Sequence, residues 1–534
     1  MSGRRIIERI LAGGDQNDDA SGTLAALFAL SNGRLGIRAA ALRHAGRGVL
    51  TNAERAFHAD IHRRVAYVHP EPAHGLARFN ERLLHVPHPG LVAIHPVEGR
   101  LRLADERWRL DTEAGRVEAE ARIDTILGRK AAGSTHPCAS VRLVRSWRLP
   151  EDGSPWFEEE LALEWPDDGA AMQLVVTLTF GAWPSSDDPT DRAAPDVERA
   201  RSDEMATVDP RRADEESEPG FRLSTFEEDG PHVRARWQAG AGSFLSQGGR
   251  TVFTPDCGDG VGLETRITLH AEIESRRRRQ QANLRWRADD ADRALMAEVE
   301  FTARPASRLR IIRRVEYRPL VSAAAAKAEE GGGTISRSAT TDGSRGSLAN
   351  WWQAAQVTLS GAKDLEEAIR HGLFHLHGAA PRMRGSIPAK GLTGLGYEGH
   401  IFWDADVYML PVFAALAPEV ARRMLRFRIA GLDAARERAR ELSLAGALYP
   451  WRTVSGSECS AYFPAGTAQY HINAGIAYAV ELYERMTGDE AFVFDEALAM
   501  LLETARLWPA IGHFTAEDRF EITCVTGPDE YSAL

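Results

Sequence analysis

Residues 471–508 read HINAGIAYAVELYERMTGDEAFVFDEALAMLLETARLW, and this stretch decides the fold of the second half of the chain. Apolar residues recur every three or four positions on both sides of the pair Gly488-Asp489, which is the spacing of one face of an α-helix. Gly488 favours the end of one helix, and Asp489 favours the start of the next. The stretch therefore predicts a helical hairpin. Related patterns predict further helices at 365–377 and 420–442, so this half reads as an all-α domain.

The first 320 residues have a different pattern, with short alternating segments separated by Gly, Pro, Asp and Asn. This pattern predicts an N-terminal β-sandwich domain over residues 1–318, in which residues 185–220 form an inserted mobile surface loop dense in charge and proline. Residues 319–360 contain three consecutive glycines and a Ser/Thr run, which predicts a linker to the helical domain at 361–534. The predicted strands include Leu91–Pro96, Arg116–Ile123, Ser140–Leu149, Gln173–Gly181, Val261–Ala271 and Leu309–Tyr317.

Composition and charge exclude several classes of protein. The chain has 534 residues, is 43% hydrophobic and carries a net charge of −11, which gives it no general attraction to nucleic acid or to anionic membranes. Its four cysteines are far apart, which excludes a disulfide scaffold and fits a reducing compartment. We read no signal peptide and no membrane-spanning run, so a cytoplasmic protein is expected.

Two motifs that resemble cofactor or metal sites lack the context that such sites require. Residues 394–399 match GxGxxG by letter, but no strand pattern precedes them, so we interpret the glycines as a tight loop. His371, His375 and His377 lie at near-helical spacing, but Gly372 stands where a zinc protease has glutamate. Packed or exposed helix histidines are the preferred interpretation, and no metal site is predicted.

Two aromatic–acidic clusters are candidates for sugar binding. Trp403 and Asp404 follow a glycine-rich stretch; an indole face covers the C–H surface of a sugar ring, and a carboxylate accepts hydrogen bonds from its hydroxyls. The alternative is a core tryptophan with Asp404 capping a helix that begins at Ala405. Trp451 and Glu458 form the second cluster, in a loop between predicted helices; alone it is a weak signal, because helix connections often contain Pro and aromatic residues.

The sequence GPDEY at 527–531 places two adjacent carboxylates in a turn that Pro528 stiffens. A rigid turn suits a proton donor, because the carboxyl must lie within about 2.6–3.2 Å of the oxygen that it protonates. Taken alone, the pentapeptide is more often an ordinary surface turn than a catalytic one.

These segments, in this order, resemble glycoside hydrolase family 65, which includes maltose, trehalose and kojibiose phosphorylases. The matching stretches are SIPAKGLTGLGYEGHIFWDADVYMLP, GALYPWRTVSGSE, YHINAGIAYAVELYERMTGDEAF, ETARLW and GPDEY, together with SNGRLGIRA near the N-terminus. The resemblance implies an N-terminal β-sandwich, a helical linker and an (α/α)6 barrel, of which about the first half is expected in this chain.

The resemblance also implies roles for individual residues. Glu530 matches the general acid, and Trp403 and Asp404 match residues that hold the non-reducing glucose. Trp451 and Glu458 match the adjacent sugar-binding loop. The implied reaction is inverting phosphorolysis of an α-glucosidic disaccharide to β-glucose 1-phosphate, with inorganic phosphate as co-substrate and no other cofactor. An inverting hydrolase that uses water and a non-catalytic sugar-binding relative are the alternatives. A homodimer is expected.

Three departures from the family pattern leave the disaccharide linkage open. Arg452 replaces the usual Glu after YPW, Gly475 replaces a common Asp, and Asp406 replaces the second acid of the usual DTE. The family's phosphate-binding Ser and His residues follow GPDEY, whereas this chain ends at Leu534. We therefore expect an incomplete barrel with exposed apolar helix faces, and an inactive, poorly soluble chain.

Overall fold

The structure, a computed structural model, divides into a β-rich N-terminal part and a helical C-terminal part. It describes residues 6–12, 18–38, 43–44, 55–66, 74–126, 139–181, 221–229, 232–239, 242–247, 250–255, 262–275, 278–288, 294–320, 348–382, 385–394, 396–460 and 468–528. The predicted loop at 185–220 and the proposed acid Glu530 lie outside these residues. No helix in the described ranges has the length and apolar character needed to cross a membrane.

The N-terminal part consists of antiparallel sheets, apart from one parallel pair, β4 and β7, with strands numbered in chain order. The largest sheet has the spatial order β1 (Ile6–Ala12), β8 (Arg100–Asp111), β9 (Arg116–Ile126), β10 (Ala139–Arg148), β11 (Trp156–Glu164), β21 (Arg308–Leu320), β17 (Gly262–Ser275), β14 (His232–Ala239) and β13 (Phe221–Asp229), with β18 (Arg278–Gln281) paired to β17. A second sheet has the order β19 (Leu284–Ala288), β20 (Ala294–Ala303), β12 (Met172–Gly181), β7 (His88–Pro96) and β4 (Arg43–His44). A third contains β2 (Leu30–Ser31), β3 (Leu35–Ile37), β5 (Ala56–Ala66) and β6 (Phe79–Val86). A separate hairpin is formed by β15 (Gly242–Gln247) and β16 (Arg250–Pro255), and the C-terminal part contains a further hairpin of β22 (Gly512–Phe514) and β23 (Phe520–Ile522).

All six strands named from the sequence are confirmed, because each predicted segment coincides with β7, β9, β10, β12, β17 or β21 to within a few residues at its ends. The two larger sheets share one apolar core, and side chains of the first sheet reach backbone carbonyls of β7 in the second. Alternation explains this packing. Along β10, every second side chain from Ala139 to Trp147 is buried, and those between them are exposed or half-buried.

The C-terminal part is helical. Its helices, numbered after α1 (Asp18–Leu27) of the N-terminal part, are α2 (Leu348–Ala354), α3 (Lys363–Ala379), α4 (Leu410–Leu416), α5 (Pro418–Ala430), α6 (Leu432–Glu441), α7 (His471–Thr487), α8 (Glu490–Phe492) and α9 (Leu498–Ile511). Shorter elements are a 3₁₀ turn at Tyr397–Gly399 and π-helical turns at Ala405–Met409 and Val493–Ala497. The hairpin prediction is confirmed: Gly488 ends α7 with φ of 71°, and the Asp489 carboxylate accepts the Phe492 N–H at 3.2 Å.

The single helix predicted at 420–442 is wrong. The chain forms α5 and α6, with Gly431 between them. Gly431 has φ of −80° and ψ of 0°, and its N–H donates to both Phe427 O and Arg428 O at 3.1 Å, a three-centre bond typical of a helix end. Apolar side chains on both helices kept the helical spacing, so the sequence pattern did not reveal the break.

Residues 321–347 of the predicted linker lie outside the described residues, and the end of that linker forms α2. This short helix contacts both parts of the molecule. Trp352 Nε1 donates to Thr112 O at 2.6 Å in the turn between β8 and β9, and the Trp351 ring lies 5.8 Å from Phe413 of α4. The domain boundaries themselves stay predictions.

The N-terminal SNGRLGIRA segment lies against the helical part. Gly33 and Gly36 face the backbone of Ala380 and Leu392 so closely that a Cβ at either position would clash with it. Arg38 Nη1 donates to Thr393 O at 2.7 Å. The glycines are therefore needed for close backbone contact between the two parts of the molecule.

Several large apolar side chains of the helical part are exposed. Phe494 is 66% exposed, Leu502 52% and Tyr478 48%, in the segment that runs from α7 to α9. Phe514, on β22, is 67% exposed.

Candidate active site

A backbone bridge brings the two predicted aromatic–acidic loops together. Ile401 N donates to Thr453 O at 2.7 Å, and Thr453 N donates to Ile401 O at 3.2 Å. Beside this bridge, the Phe402 and Trp451 rings pack edge to face with their centroids 5.3 Å apart. Residues separated by about fifty positions in the sequence thus form one surface.

Trp403 and Asp404 follow this bridge in the chain, and their environments differ. Trp403 is half-buried and packs edge to face on His471, 5.1 Å between ring centroids. Asp404 is exposed, and its side chain makes no capping hydrogen bond to the π-helical turn that begins at Ala405. The alternative interpretation of Asp404 as a helix cap is therefore wrong, and its carboxylate faces solvent beside the indole.

Asp406, two residues further along, is buried. Its Oδ2 accepts hydrogen bonds from Arg428 Nη2 at 2.6 Å and Nε at 3.1 Å, and neither side chain is more than 1% exposed. Burial raises the pKa of Asp406 above its ordinary value, and the Arg428 charge opposes that effect. The Arg428 carbonyl in turn accepts the Tyr449 hydroxyl at 2.9 Å, next to the Trp451 loop. This network connects both loops to α5 beneath the surface.

Glu458 is also buried, and its carboxylate binds the backbone of its own loop. Oε2 accepts the N–H of Trp451 at 2.7 Å, and Oε1 accepts those of Ser460 at 2.9 Å and Arg452 at 3.4 Å. Burial raises the pKa of Glu458 from 4.5 to about 7, although these donors lower it. The contacts that the structure describes for Glu458 shape the loop around Trp451, which is itself half-buried.

The chain returns to this surface just before GPDEY. Thr526 N donates to Ala468 O at 3.1 Å, and His471 is hydrogen-bonded to the backbone of Thr526. Burial lowers the pKa of His471, although Thr526 and Asp404 both raise it. The structure describes the chain up to Pro528, so Glu530 is two residues beyond the described part. Sequence reasoning missed His471; the only signal was its place at the start of the predicted hairpin.

Gly475 of α7 allows Trp403 to pack this closely. A Cβ at Gly475 would lie 2.8 Å from Trp403 Cε3, which is too close for unstrained packing. The sequence showed Gly475 only as a departure from the family's usual aspartate. The structure shows that any side chain at this position would displace the indole or the helix.

Gly475→Ala is expected to destabilise the protein by about 1–3 kcal/mol, because overpacking outweighs the gain in helix propensity. The near-ultraviolet circular dichroism of the tryptophans should change as well. Gly372→Ala is the matched control: Gly372 lies in α3, a methyl group added there would meet no atom within 4 Å, and the variant should gain about 0.5–1 kcal/mol. Denaturant unfolding of both variants checks this, and equal stabilisation by the two alanines would contradict it.

The two motifs that were set aside are explained by local packing. Residues 389–393 form turns, Tyr397–Gly399 form a 3₁₀ segment, and no strand occurs within the described residues 385–394, which agrees with the predicted tight loop. His371 Nε2 lies 2.9 Å from Leu27 O and 3.0 Å from His375 Nε2. Burial lowers the pKa of His375 to about 4, so this imidazole is neutral where α3 packs against α1.

Comparisons with known proteins show that part of the chain is similar to a known family. Residues 370–534 match the model described as the glycosyl hydrolase family 65 central catalytic domain. The chain is 52% identical over 190 residues to an α,α-trehalose phosphorylase of Thermoanaerobacter brockii, covering 35% of this chain and 24% of the relative. It is 41% identical over 199 residues to a kojibiose phosphorylase of Escherichia coli, covering 34% of this chain and 26% of the relative. The matched part thus spans about a quarter of the length of these relatives.

A solved structure shares the fold. It is titled a putative kojibiose phosphorylase from human microbiome, and it superposes with a TM-score of 0.69 at 16% identity. The superposition covers 100% of this chain and 64% of the other. The likeness shows a shared fold, in which antiparallel sheets are followed by helices.

Proposed function

We propose, on the premise that residues 370–534 are a family 65 glycosyl hydrolase domain, that this protein cleaves an α-glucosidic disaccharide with inorganic phosphate and inversion at C1. The observation that carries the proposal is the surface on which exposed Asp404 and half-buried Trp403 meet His471 and the segment leading to GPDEY. A sugar ring needs an aromatic face, a hydrogen-bonding carboxylate and a nearby proton donor, and this surface combines the first two next to the segment that leads to the third.

In the proposed mechanism, Trp403 and Asp404 hold the non-reducing glucose. Glu530 donates its proton to the glycosidic oxygen as the C1–O bond breaks, and a phosphate oxygen forms a bond to C1 from the opposite face. The products are β-glucose 1-phosphate and the acceptor sugar, and the Glu530 carboxylate regains its proton from solvent. Such an acid must be protonated near neutral pH, which an enclosed site favours.

The substrate proposed first is α,α-trehalose. Two trehalose phosphorylases are 52% and 53% identical to this chain over 190 and 189 residues, whereas the kojibiose phosphorylase of Escherichia coli is 41% identical over 199 residues. Maltose and kojibiose stay in the proposal as further substrates. Glu458, which binds the backbone around Trp451, is proposed to shape the sugar-binding loop.

The proposal includes the wider assignments that the family resemblance implies. The helices from α3 to α9 are proposed to belong to an (α/α)6 barrel. The protein is proposed to be a cytoplasmic homodimer that uses phosphate as co-substrate and needs no metal or other cofactor.

Turnover is expected to depend strictly on inorganic phosphate. The intact protein is incubated with α,α-trehalose, kojibiose, maltose and nigerose, with and without phosphate, and β-glucose 1-phosphate is identified by its anomeric proton coupling. Glucose release at full rate without phosphate would instead identify a hydrolase. Absence of turnover with all four sugars under both conditions would reject the proposal for this chain and would agree with the inactive chain expected from its sequence.

A further inference from the structure

Strand β6 of the N-terminal part lies directly against both loops of the candidate site. Its Leu83 contacts Gly399, whose φ is +77° and where a Cβ would lie 2.5 Å from Leu83 Cβ. Its Glu81 reaches the loop of residues 451–460. The sheet of β2, β3, β5 and β6 thus supports the segments that carry Trp403 and Trp451, although none of its residues was predicted to belong to the site.

The contact made by Glu81 is specific. Its carboxylate is fully buried, with Oε2 accepting Ser455 N at 2.9 Å and Oε1 accepting Ser455 Oγ at 2.7 Å. These partners are 374 positions apart in the sequence. A buried carboxylate is costly unless its oxygens accept hydrogen bonds, so this geometry fixes the tip of the loop rather than merely touching it.

A short series of hydrogen bonds connects the tip of the loop to the proposed sugar-binding residues. Gly456 N donates to Thr453 Oγ1 at 2.7 Å, and Thr453 forms the backbone bridge to Ile401. Trp403 follows Ile401 by two residues. A shift of Ser455 is therefore passed to Thr453 and across the bridge to Trp403.

We propose that Glu81 is a positioning residue for the reaction, acting through Ser455 to hold the two sugar-binding loops in register. This inference rests on the proposed function, and it assigns a role in the reaction to the N-terminal sheet. Displacing a binding group by about 1 Å can cost on the order of 100-fold in rate, so a partial loosening of the loops should be measurable in catalysis.

The test compares Glu81→Gln, Ser455→Ala and the double variant of the intact protein, with Glu98→Gln as control. Glu98 is an exposed glutamate in the turn between β7 and β8. In Glu81→Gln, an amide group replaces one of the two acceptor oxygens, and kcat/KM should fall about tenfold, mainly through KM. Ser455→Ala should lower it less, and the double variant should be no worse than Glu81→Gln, because both changes break the same contact.

Backbone amide exchange supplies a readout that does not need activity. Exchange should accelerate in residues 451–456 of Glu81→Gln and should be unchanged elsewhere in the helical part. If the wild type is active, unchanged kcat/KM in both Glu81→Gln and Ser455→Ala would overturn the inference. A loss in the double variant equal to the product of the two single losses would also overturn it. The wild type could lack turnover while Glu81→Gln still accelerates exchange in residues 451–456. That outcome would reject the proposed function and with it a role of this contact in the reaction.

Discussion

Replacing Glu530 by glutamine is expected to lower kcat/KM for unactivated disaccharides by roughly 10²–10⁴-fold, the usual contribution of a general acid. Glutamine has nearly the same shape but cannot donate the proton that the departing sugar oxygen needs. Cleavage of α-glucosyl fluoride, whose leaving group needs little protonation, should be much less affected. Steady-state assays with trehalose and the fluoride, both with phosphate present, measure the difference.

Glu517→Gln provides the matched control for this experiment. Glu517 is exposed in the turn between β22 and β23 and carries the same charge thirteen positions earlier. Its loss should leave both rates within about twofold of wild type, as is usual for a surface substitution. Near-normal trehalose cleavage by Glu530→Gln, or equal losses with both substrates, would remove Glu530 from the role of acid.

Replacing Glu159 by glutamine is expected to destabilise the protein by about 3–5 kcal/mol, because it removes one partner of a buried charge cluster. Glu159 Oε1 accepts Arg145 Nε at 2.8 Å, and Oε2 contacts Arg313 Nη2; all three side chains are at most 2% exposed. The two guanidinium groups would then face each other in the core with no carboxylate between them. The cluster also joins the two larger sheets, since Arg145 Nη2 donates to Gly90 O at 2.7 Å.

The control for Glu159 is an ion pair on the outer face of the same sheet. Glu120 Oε1 accepts Arg142 Nε at 2.7 Å, but the side chains are 40% and 52% exposed. Glu120→Gln should therefore cost only about 0–1 kcal/mol. Urea unfolding followed by tryptophan fluorescence compares the two variants, and similar midpoints would show that the buried cluster contributes no more than a surface pair.

The types of secondary structure could be predicted because they depend on local periodicity. Alternating residues identified β10 and β21, and helical spacing with Gly488 and Asp489 identified the hairpin of α7 and the helices after it. The strand patterns also contain a signal for the buried charge cluster. Arg145, Glu159 and Arg313 each occupy an inward position of an alternating strand, where an apolar residue is the rule.

Errors arose where the backbone departed from a regular element without changing its residue pattern. Gly431 interrupts a run that keeps helical spacing, and Asp404, for which capping was one of two open interpretations, precedes a π-helical turn that it does not cap. In both cases, the residue type allowed the predicted structure, and packing selected another.

The sequence by itself determined the order of sheets and helices, the family resemblance, and the candidate residues Trp403, Asp404, Trp451, Glu458 and Glu530. Local spacing and side-chain chemistry are enough for such assignments. Only the tertiary structure decided how these residues are held: Asp406 by Arg428, Trp403 beside Gly475, and the 451–460 loop by Glu81. Contacts between residues far apart in the chain have no period in the sequence, because chain folding alone brings those residues within hydrogen-bonding distance.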